Sequence, residues 1–300
     1  MAAVHDPTVD LPRIDSPTNP RVKAWVRLRK RRERDRTGTV PVEGARESVR
    51  ALAAGRDLVA AYFAPELWGE AERGAAATLR ASGVPCWRLS PAAFARGSVR
   101  EGPDGIATIV RPPAHALDDL DTSGPAALVV IAVGTQKPGN LGALVRSADA
   151  AGATALVASG SEGTDPWNPA AVRASMGAVF ELPVATAPDR AVRDWARRRG
   201  LTLVATAPDA ERSYWDADLR GPTAIVLGPE HEGLPTAWRD AADLHVRVPM
   251  EGARSADSLN VGVTGALVAF EAARQRRHDR PTAPRVPDPS SASVPEPTAS

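Results

Sequence analysis

Apolar positions change their rhythm along this chain, and the change divides it. Over residues 21–35 they recur at helical spacing among arginines and lysines, residues 39–43 read as a short strand, and residues 45–54 read as a second helix. Runs at 58–63, 85–89 and 106–110 are short, rich in β-branched or aromatic residues and bounded by turn formers, which predicts further strands. These elements make a small α/β sandwich over residues 20–112. From residue 126 onward the apolar runs become nearly continuous, at 126–133, 155–158, 201–205, 223–227 and 244–248, with helical or turn segments between them. Strands buried on both faces of a parallel sheet have this pattern, because helices cover each face. A last helix over about residues 259–277 is apolar early and closes on Arg274, Arg276 and Arg277, cations that complement a helix C-terminus. The fold class read from these runs is α/β.

Three stretches lack such rhythm. Residues 113–125 are acidic, bounded by proline and aperiodic, which predicts a linker between a first domain at 20–112 and a second at 126–277. Residues 1–19 hold several prolines and few aliphatic pairs, and residues 278–300 are mostly Pro, Ser, Ala and Thr, so both ends are expected to be disordered.

Charge refines the picture. With a net charge of +1 and 24% charged residues, the chain as a whole is no polyelectrolyte binder, so a nucleic-acid surface must come from local clustering. Such a cluster exists at Arg21, Lys23, Arg27, Arg29, Lys30, Arg31, Arg32, Arg34 and Arg36, opposed only by Glu33 and Asp35 and interleaved with Trp25. That density is an electrostatic footprint for the phosphates of a nucleic acid, and it carries no sequence preference. The single cysteine, Cys86, excludes an intrachain disulfide and a cysteine-based zinc cluster; it reads as a small apolar filler and fits a reducing compartment. No metal site is expected. The first twelve positions hold acidic and proline residues without an apolar core, and no run approaches the roughly 20 apolar residues of a membrane span, so the chain is expected in the cytoplasm, with no membrane partner.

The candidate chemistry sits where apolar runs end, the place where α/β sheets hold ligands. After the run at 126–133 come Gly134, the turn Lys137-Pro138-Gly139 and then Asn140-Leu141-Gly142-Ala143-Leu144-Val145-Arg146, with Asn140 placed as a helix N-cap and Arg146 on the second turn. After the run at 223–227 comes Gly228-Pro229-Glu230-His231-Glu232-Gly233, whose glycines permit close backbone approach. After the run at 244–248 come Pro249-Met250 and then Ser258-Leu259-Asn260. Each stretch alone also reads as a turn or cap. The dinucleotide fingerprint G-x-G-x-x-G is absent from 134–142, and the nucleotide-binding P-loop motif is absent altogether.

Taken together and in this order, the three stretches resemble the signature motifs of the SPOUT class of RNA methyltransferases, specifically the TrmH-like ribose 2'-O-methyltransferases. Asn168-Pro169-Ala170-Ala171-Val172-Arg173 resembles a further segment in which relatives carry an arginine near the RNA. The resemblance implies a C-terminal parallel-sheet domain with a deep trefoil knot, a rare exception to unknotted topology. It implies a smaller N-terminal domain similar to ribosomal protein L30e, with Val42-Glu43-Gly44-Ala45-Arg46-Glu47 as its opening strand-to-helix turn. It implies S-adenosyl-L-methionine as cofactor, held by Thr206, Ala207, Leu227, Gly228, Glu230, Gly233, Val248, Met250, Ser258, Leu259 and Asn260. It implies a reaction site of Arg146, Asn140, Glu230, Ser258 and Asn260, completed at a homodimer interface. A free guanidinium, with a pKa above about 12, is a poor base, so Arg146 is expected to orient the hydroxyl or stabilise the developing alkoxide. His231 has no assigned part. RNA contacts are expected from Arg21, Lys23, Arg27, Arg29, Lys30, Arg31, Arg46 and Arg173. Two departures stand out: Pro229 replaces an asparagine common among relatives, and about two extra residues fall around 253–256. The implied substrate is 23S rRNA in preference to tRNA, with relatives that include antibiotic-resistance enzymes. A non-enzymatic RNA-binding protein on the same fold would be expected to have lost Arg146, Glu230 or Asn260, and all are present.

Overall fold

The computed structural model describes residues 6–160, 163–229, 232–250, 252 and 258–278. Its first unit is a five-stranded sheet of β1 (Arg13–Ile14), β2 (Val40–Glu43), β3 (Leu58–Phe63), β4 (Cys86–Leu89) and β5 (Ile106–Val110), in the order β1-β4-β3-β5-β2. Strand β5 runs antiparallel to both neighbours, and the remaining pairs are parallel. Helices α1 (Pro20–Arg27) and α5 (Pro91–Gly97) cover one face, and α3 (Ala45–Ala53) and α4 (Glu70–Ala81) cover the other, with the short α2 (Arg31–Thr37) between α1 and β2. Trp25 of α1 is the wedge of the first face, stacked on Tyr62 at 5.5 Å and edge-on to Phe94 at 5.2 Å. Gly97 is required there, because a Cβ would lie 2.1 Å from the Trp25 ring. Cys86 is buried, and burial raises its thiol pKa, in keeping with a filler.

Two expectations for this half need correction. The helix expected over 21–35 is two helices, broken at residues 28–30. The buried Arg34 donates from Nη1 to the carbonyls of Leu28 (2.9 Å) and Arg29 (3.0 Å), satisfying groups that the end of α1 leaves open. Residues 6–19 are not free of structure: β1 lies on the sheet edge, Ile14 is buried, and the Arg88 N–H donates to the Pro12 carbonyl at 3.0 Å. A two-residue strand between prolines is too short to show a period. Residues 113–125 are packed down, with Leu120 buried against the second sheet, a bridge from His115 to Ala185, and the Asp118 carbonyl accepting from Arg199 at 2.9 Å.

The second unit is a seven-stranded sheet with every neighbouring pair parallel. Its strands are β6 (Leu128–Val133), β7 (Ala155–Ser159), β8 (Val184–Ala187), β9 (Thr202–Thr206), β10 (Arg212–Ser213), β11 (Thr223–Leu227) and β12 (Leu244–Arg247), in the order β10-β12-β9-β11-β6-β7-β8. Every residue of β6, β7 and β11 is buried, which is why their sequences run apolar without alternation. One face is covered by α6 (Pro138–Ala150), α7 (Pro169–Ala174) and α10 (Val261–His278), the other by α8 (Asp189–Arg198) and α9 (Thr236–Arg239), which bury Trp195 and Trp238. The chain moves outward from β6 to β8, crosses to β9, and returns to place β11 between β9 and β6. The loops leaving β6 and β11 therefore sit side by side, at the switch point where such sheets bind ligands.

Arginines of the first unit tie it to the second. Arg34 pairs with Asp165 at 2.6 Å with side chains only 4% and 12% exposed, Arg50 donates to the Met176 carbonyl at 2.7 Å, and Arg56 donates to the Phe180 carbonyl at 2.6 Å. No described helix is long and apolar enough to cross a membrane.

Candidate active site

A cavity of about 480 Å³ opens at the C-terminal ends of β9, β11 and β12. Thr206 and Ala207 contribute from β9 and its exit, Leu227 and Gly228 from β11, Val248 and Met250 from beyond β12, and Ser258 and Leu259 from the approach to α10. Gly233 also lines it, at φ +66°, where glycine is favoured. Gly228 is equally constrained, since a Cβ would meet the Leu234 nitrogen at 2.7 Å and the Gly233 carbonyl carbon at 2.8 Å. The loop thus folds back on its own start, fastened by the Gly233 N–H donating to the Pro229 carbonyl at 3.1 Å. Pro229 packs over Gly134, whose added Cβ would touch the proline Cγ at 3.2 Å, so the residue that departs from the motif joins the loops of β6 and β11.

A small cavity of about 70 Å³ adjoins this one and shares Gly228, Pro229 and Val261 with it; Asn140, Thr135 and Glu232 complete much of its wall. Here the first and third motifs meet, because Asn260 Nδ2 donates to Asn140 Oδ1 at 3.0 Å. The Asn260 Oδ1 accepts the Gly262 N–H at 2.9 Å, so one amide both caps α10 and reaches α6. Asn140 is not the N-cap expected of it. Pro138 occupies N1 and Lys137 the cap position, leaving Asn140 in the first turn with its side chain toward Asn260.

Much of the first motif serves packing. At Gly142 a Cβ would lie 2.4 Å from the Ala171 carbonyl oxygen, and at Gly265 a Cβ would lie 2.4 Å from Leu144 Cδ2, so α6 crosses α7 and α10 at close range. Arg146 falls on the third turn of α6, exposed to solvent, and lines neither cavity. Asn260 does not line the larger cavity either. Glu230, His231 and the extra residues around 253–256 lie outside the described residues. Motif reading missed Arg247 and Thr264, which also line the larger cavity. Arg247 ends β12, and that strand-end position was the available signal.

The basic segment divides into several roles. Lys23, Arg27, Lys30 and Arg31 are exposed on or between α1 and α2, although Arg27 stands 3.9 Å from Glu33 and Arg31 stands 3.7 Å from Asp35. Arg21 lies over the Trp87 ring at 3.9 Å. Arg29 corrects the expectation of an RNA-facing residue: its Nη2 donates to the carbonyls of Arg96, Gly97 and Ser98 at 3.0, 3.0 and 2.7 Å, closing the end of α5. Arg46 and Arg173 are exposed near the junction of the two units, close to Met176. Among the described residues no group of three or more His, Cys, Asp or Glu is placed to hold a metal.

Comparison with known proteins agrees with this geometry. Residues 127–270 match the SpoU rRNA Methylase family, and residues 19–108 match the MRM3-like substrate binding domain. The chain is 30% identical over 257 residues to the 23S rRNA (guanosine(2553)-2'-O)-methyltransferase RlmP of Bacillus subtilis (strain 168), covering 86% of this chain and 97% of that protein. Matches to other curated relatives are partial, and the matched stretch spans 63% and 64% of the length of two of them. A crystal structure of an RNA 2'-O ribose methyltransferase superposes with a TM-score of 0.79 at 45% identity, over 88% of this chain and 99% of that one. The SpoU methyltransferase AviRb from Streptomyces viridochromogenes, in complex with the cofactor AdoMet, superposes with a TM-score of 0.76 at 31% identity, over 87% of this chain and 100% of that one. The chain belongs to the SpoU rRNA methylase family, with an MRM3-like substrate-binding unit ahead of the methylase unit.

Proposed function

We propose that the protein transfers a methyl group from S-adenosylmethionine to the 2'-hydroxyl of one ribose in 23S rRNA. The observation that carries this reading is the pair of adjoining cavities: a larger one at the ends of β9, β11 and β12, and a small one beside Asn140, joined through Gly228, Pro229 and Val261. The larger cavity has a volume and a mixed lining suited to a small-molecule cofactor: apolar Leu227, Val248, Met250 and Leu259, with hydroxyls from Thr206, Ser258 and Thr264. When bound, the cofactor supplies an electrophilic methyl group, so the protein has to position a ribose hydroxyl and accommodate the negative charge that develops on its oxygen.

Asn140 and Asn260, locked together, hold the hydroxyl side, and Glu230 assists from the loop after β11. Arg146 stabilises the developing alkoxide or fixes the adjoining phosphate, with a fork suited to two oxygens. Arg146 is exposed and lines neither cavity, which points to a second copy of the chain. Val263 (48% exposed) and Phe270 (49% exposed) stand seven residues apart on α10, hence on one face, beside α6 that carries Arg146. We take that face as the interface of a homodimer that brings Arg146 to a complete site. The C-terminal segment of the second unit is taken to thread a trefoil knot, and the first unit is taken as an L30e-like domain that presents Lys23, Arg27, Lys30, Arg31 and Arg46 to RNA, with Arg173 of α7 beside it. We place this activity in the cytoplasm.

The test is transfer of labelled methyl to purified 23S rRNA and, separately, to bulk tRNA, followed by alkaline hydrolysis. A 2'-O-methyl group removes the nucleophile that cleaves the next phosphodiester, so the expected product is labelled 23S rRNA with one alkali-resistant linkage. Label in tRNA alone would overturn the substrate, and label in neither would leave an RNA-binding protein on an enzyme's fold.

A further inference from the structure

A third cavity, of about 300 Å³, lies at the C-terminal ends of β6, β7 and β8, on the opposite side of the switch point from the larger cavity. Thr135, Thr164, Asp165 and Thr186 contribute to its walls from the second unit, and Arg31 of α2 reaches it from the first. Thr135 also lines the small cavity beside Asn140, so the two spaces meet at this residue. The Thr135 side chain is buried at 5% exposure, and its Oγ1 has no hydrogen-bond partner among the described residues. A buried hydroxyl left so is costly and calls for a partner from outside the chain. The acidic group in the cavity is already engaged, because Asp165 holds the buried Arg34 at 2.6 Å and accepts the Trp167 N–H at 2.9 Å. Arg31 is exposed and stands 3.7 Å from Asp35.

We infer that this cavity is a nucleotide subsite, taking one nucleobase of the bound RNA with Thr135 at the base edge and Arg31 at the phosphate. The inference rests on RNA being the substrate, as proposed above. Ala132, Ala158, Gly160 and Ala187 at the strand ends give the cavity an apolar wall for a base face, and since the Thr164 hydroxyl already donates to the Gln136 carbonyl, Thr135 is the buried threonine left for the base edge. A phosphate inside would face Asp165, so the charge is better met at the mouth by Arg31. The volume suits one nucleotide and admits no duplex. A hydroxyl both donates and accepts, so Thr135 can satisfy any base. Because Thr135 lines both this cavity and the small one that Asn140 lines, a base held here sits beside the ribose that is methylated.

Thr135→Val keeps the side-chain shape and removes the hydroxyl, and since the hydroxyl has no internal partner the variant should melt no lower than the wild type. Arg31→Gln removes the charge. Binding of nucleoside 5'-monophosphates and of a short single-stranded oligoribonucleotide is measured by NMR titration or calorimetry for the three proteins. Each substitution is expected to weaken oligonucleotide binding about tenfold, with S-adenosylmethionine affinity unchanged, because neither residue lines the larger cavity. Equal affinity of wild type and Thr135→Val for the oligonucleotide would overturn the subsite. An oligonucleotide that binds no tighter than a mononucleotide would overturn its assignment to RNA. Because the readout is binding, wild-type protein that puts no methyl on 23S rRNA yet shows the Thr135 effect would refute the proposed function and leave the subsite standing.

Discussion

The two units spend their charged and special residues in opposite ways. In the second, the residues of interest come from separate stretches and converge at strand ends: Gly228 after β11, Met250 after β12 and Asn140 after β6 stand around two adjoining cavities. In the first, neighbouring basic residues diverge. Arg29 closes α5, Arg34 is buried against Asp165, and Lys23, Arg27 and Lys30 remain for solvent or phosphate. Convergence follows from topology, since parallel strands deliver all their exit loops to one edge. Divergence follows from helix geometry, since consecutive residues point in different directions around the axis. A dense charge run is thus a weaker guide to an interface than scattered motifs at strand ends.

Substitutions in the two units should sharpen that contrast. The largest effect is expected at Arg34→Ala, which leaves Asp165 without its partner in a nearly buried position and should cost about 3–5 kcal/mol of stability, read as a drop in midpoint in chemical denaturation. A loss below about 1 kcal/mol would put Arg34 among the ordinary surface cations. Gly228→Ala comes next. Its Cβ collides with the Gly233 to Leu234 backbone, so the loop must shift, and S-adenosylmethionine affinity should fall about tenfold or more, near 1.4 kcal/mol, measured by calorimetry. Unchanged affinity would show that the loop does not shape the cofactor site. The smallest effect is expected at Arg27→Ala, with stability within about 0.5 kcal/mol and the slope of log affinity for RNA against log salt lower by about one. A salt slope equal to the wild type would remove Arg27 from the RNA surface.

Legibility in the sequence followed the same division. The strands β6, β7, β9 and β11 were readable because burial makes their sequences nearly continuously apolar, whereas β12, with the sequence Leu-His-Val-Arg and only Val246 buried, was readable from the apolar positions at 244, 246 and 248. β8, with the sequence Val-Ala-Thr-Ala, and the two-residue β10 carried too little pattern. Spacing alone offered Gly228, Ser258 and Asn260 as turn and cap residues, and Asn260 does cap α10; resemblance to a family was what grouped them. Neither route foresaw that Arg34 would be buried, because its partner Asp165 lies 131 residues away. Nor could a local pattern show that Thr135 lies between two cavities, which depends on how β6, β7 and β11 are ordered in the sheet.

The central claim is a division of labour, with the loops after β9, β11 and β12 holding the cofactor and the α6 motif acting on the ribose. It is tested most directly by measuring S-adenosylmethionine affinity and single-turnover methyl transfer to 23S rRNA in one preparation of Arg146→Ala. The account predicts affinity within a few-fold of wild type and a methyl-transfer rate lower by about a hundredfold or more, the scale of losing one transition-state charge contact. Transfer that survives within a few-fold, or a cofactor affinity that collapses with it, would contradict the division.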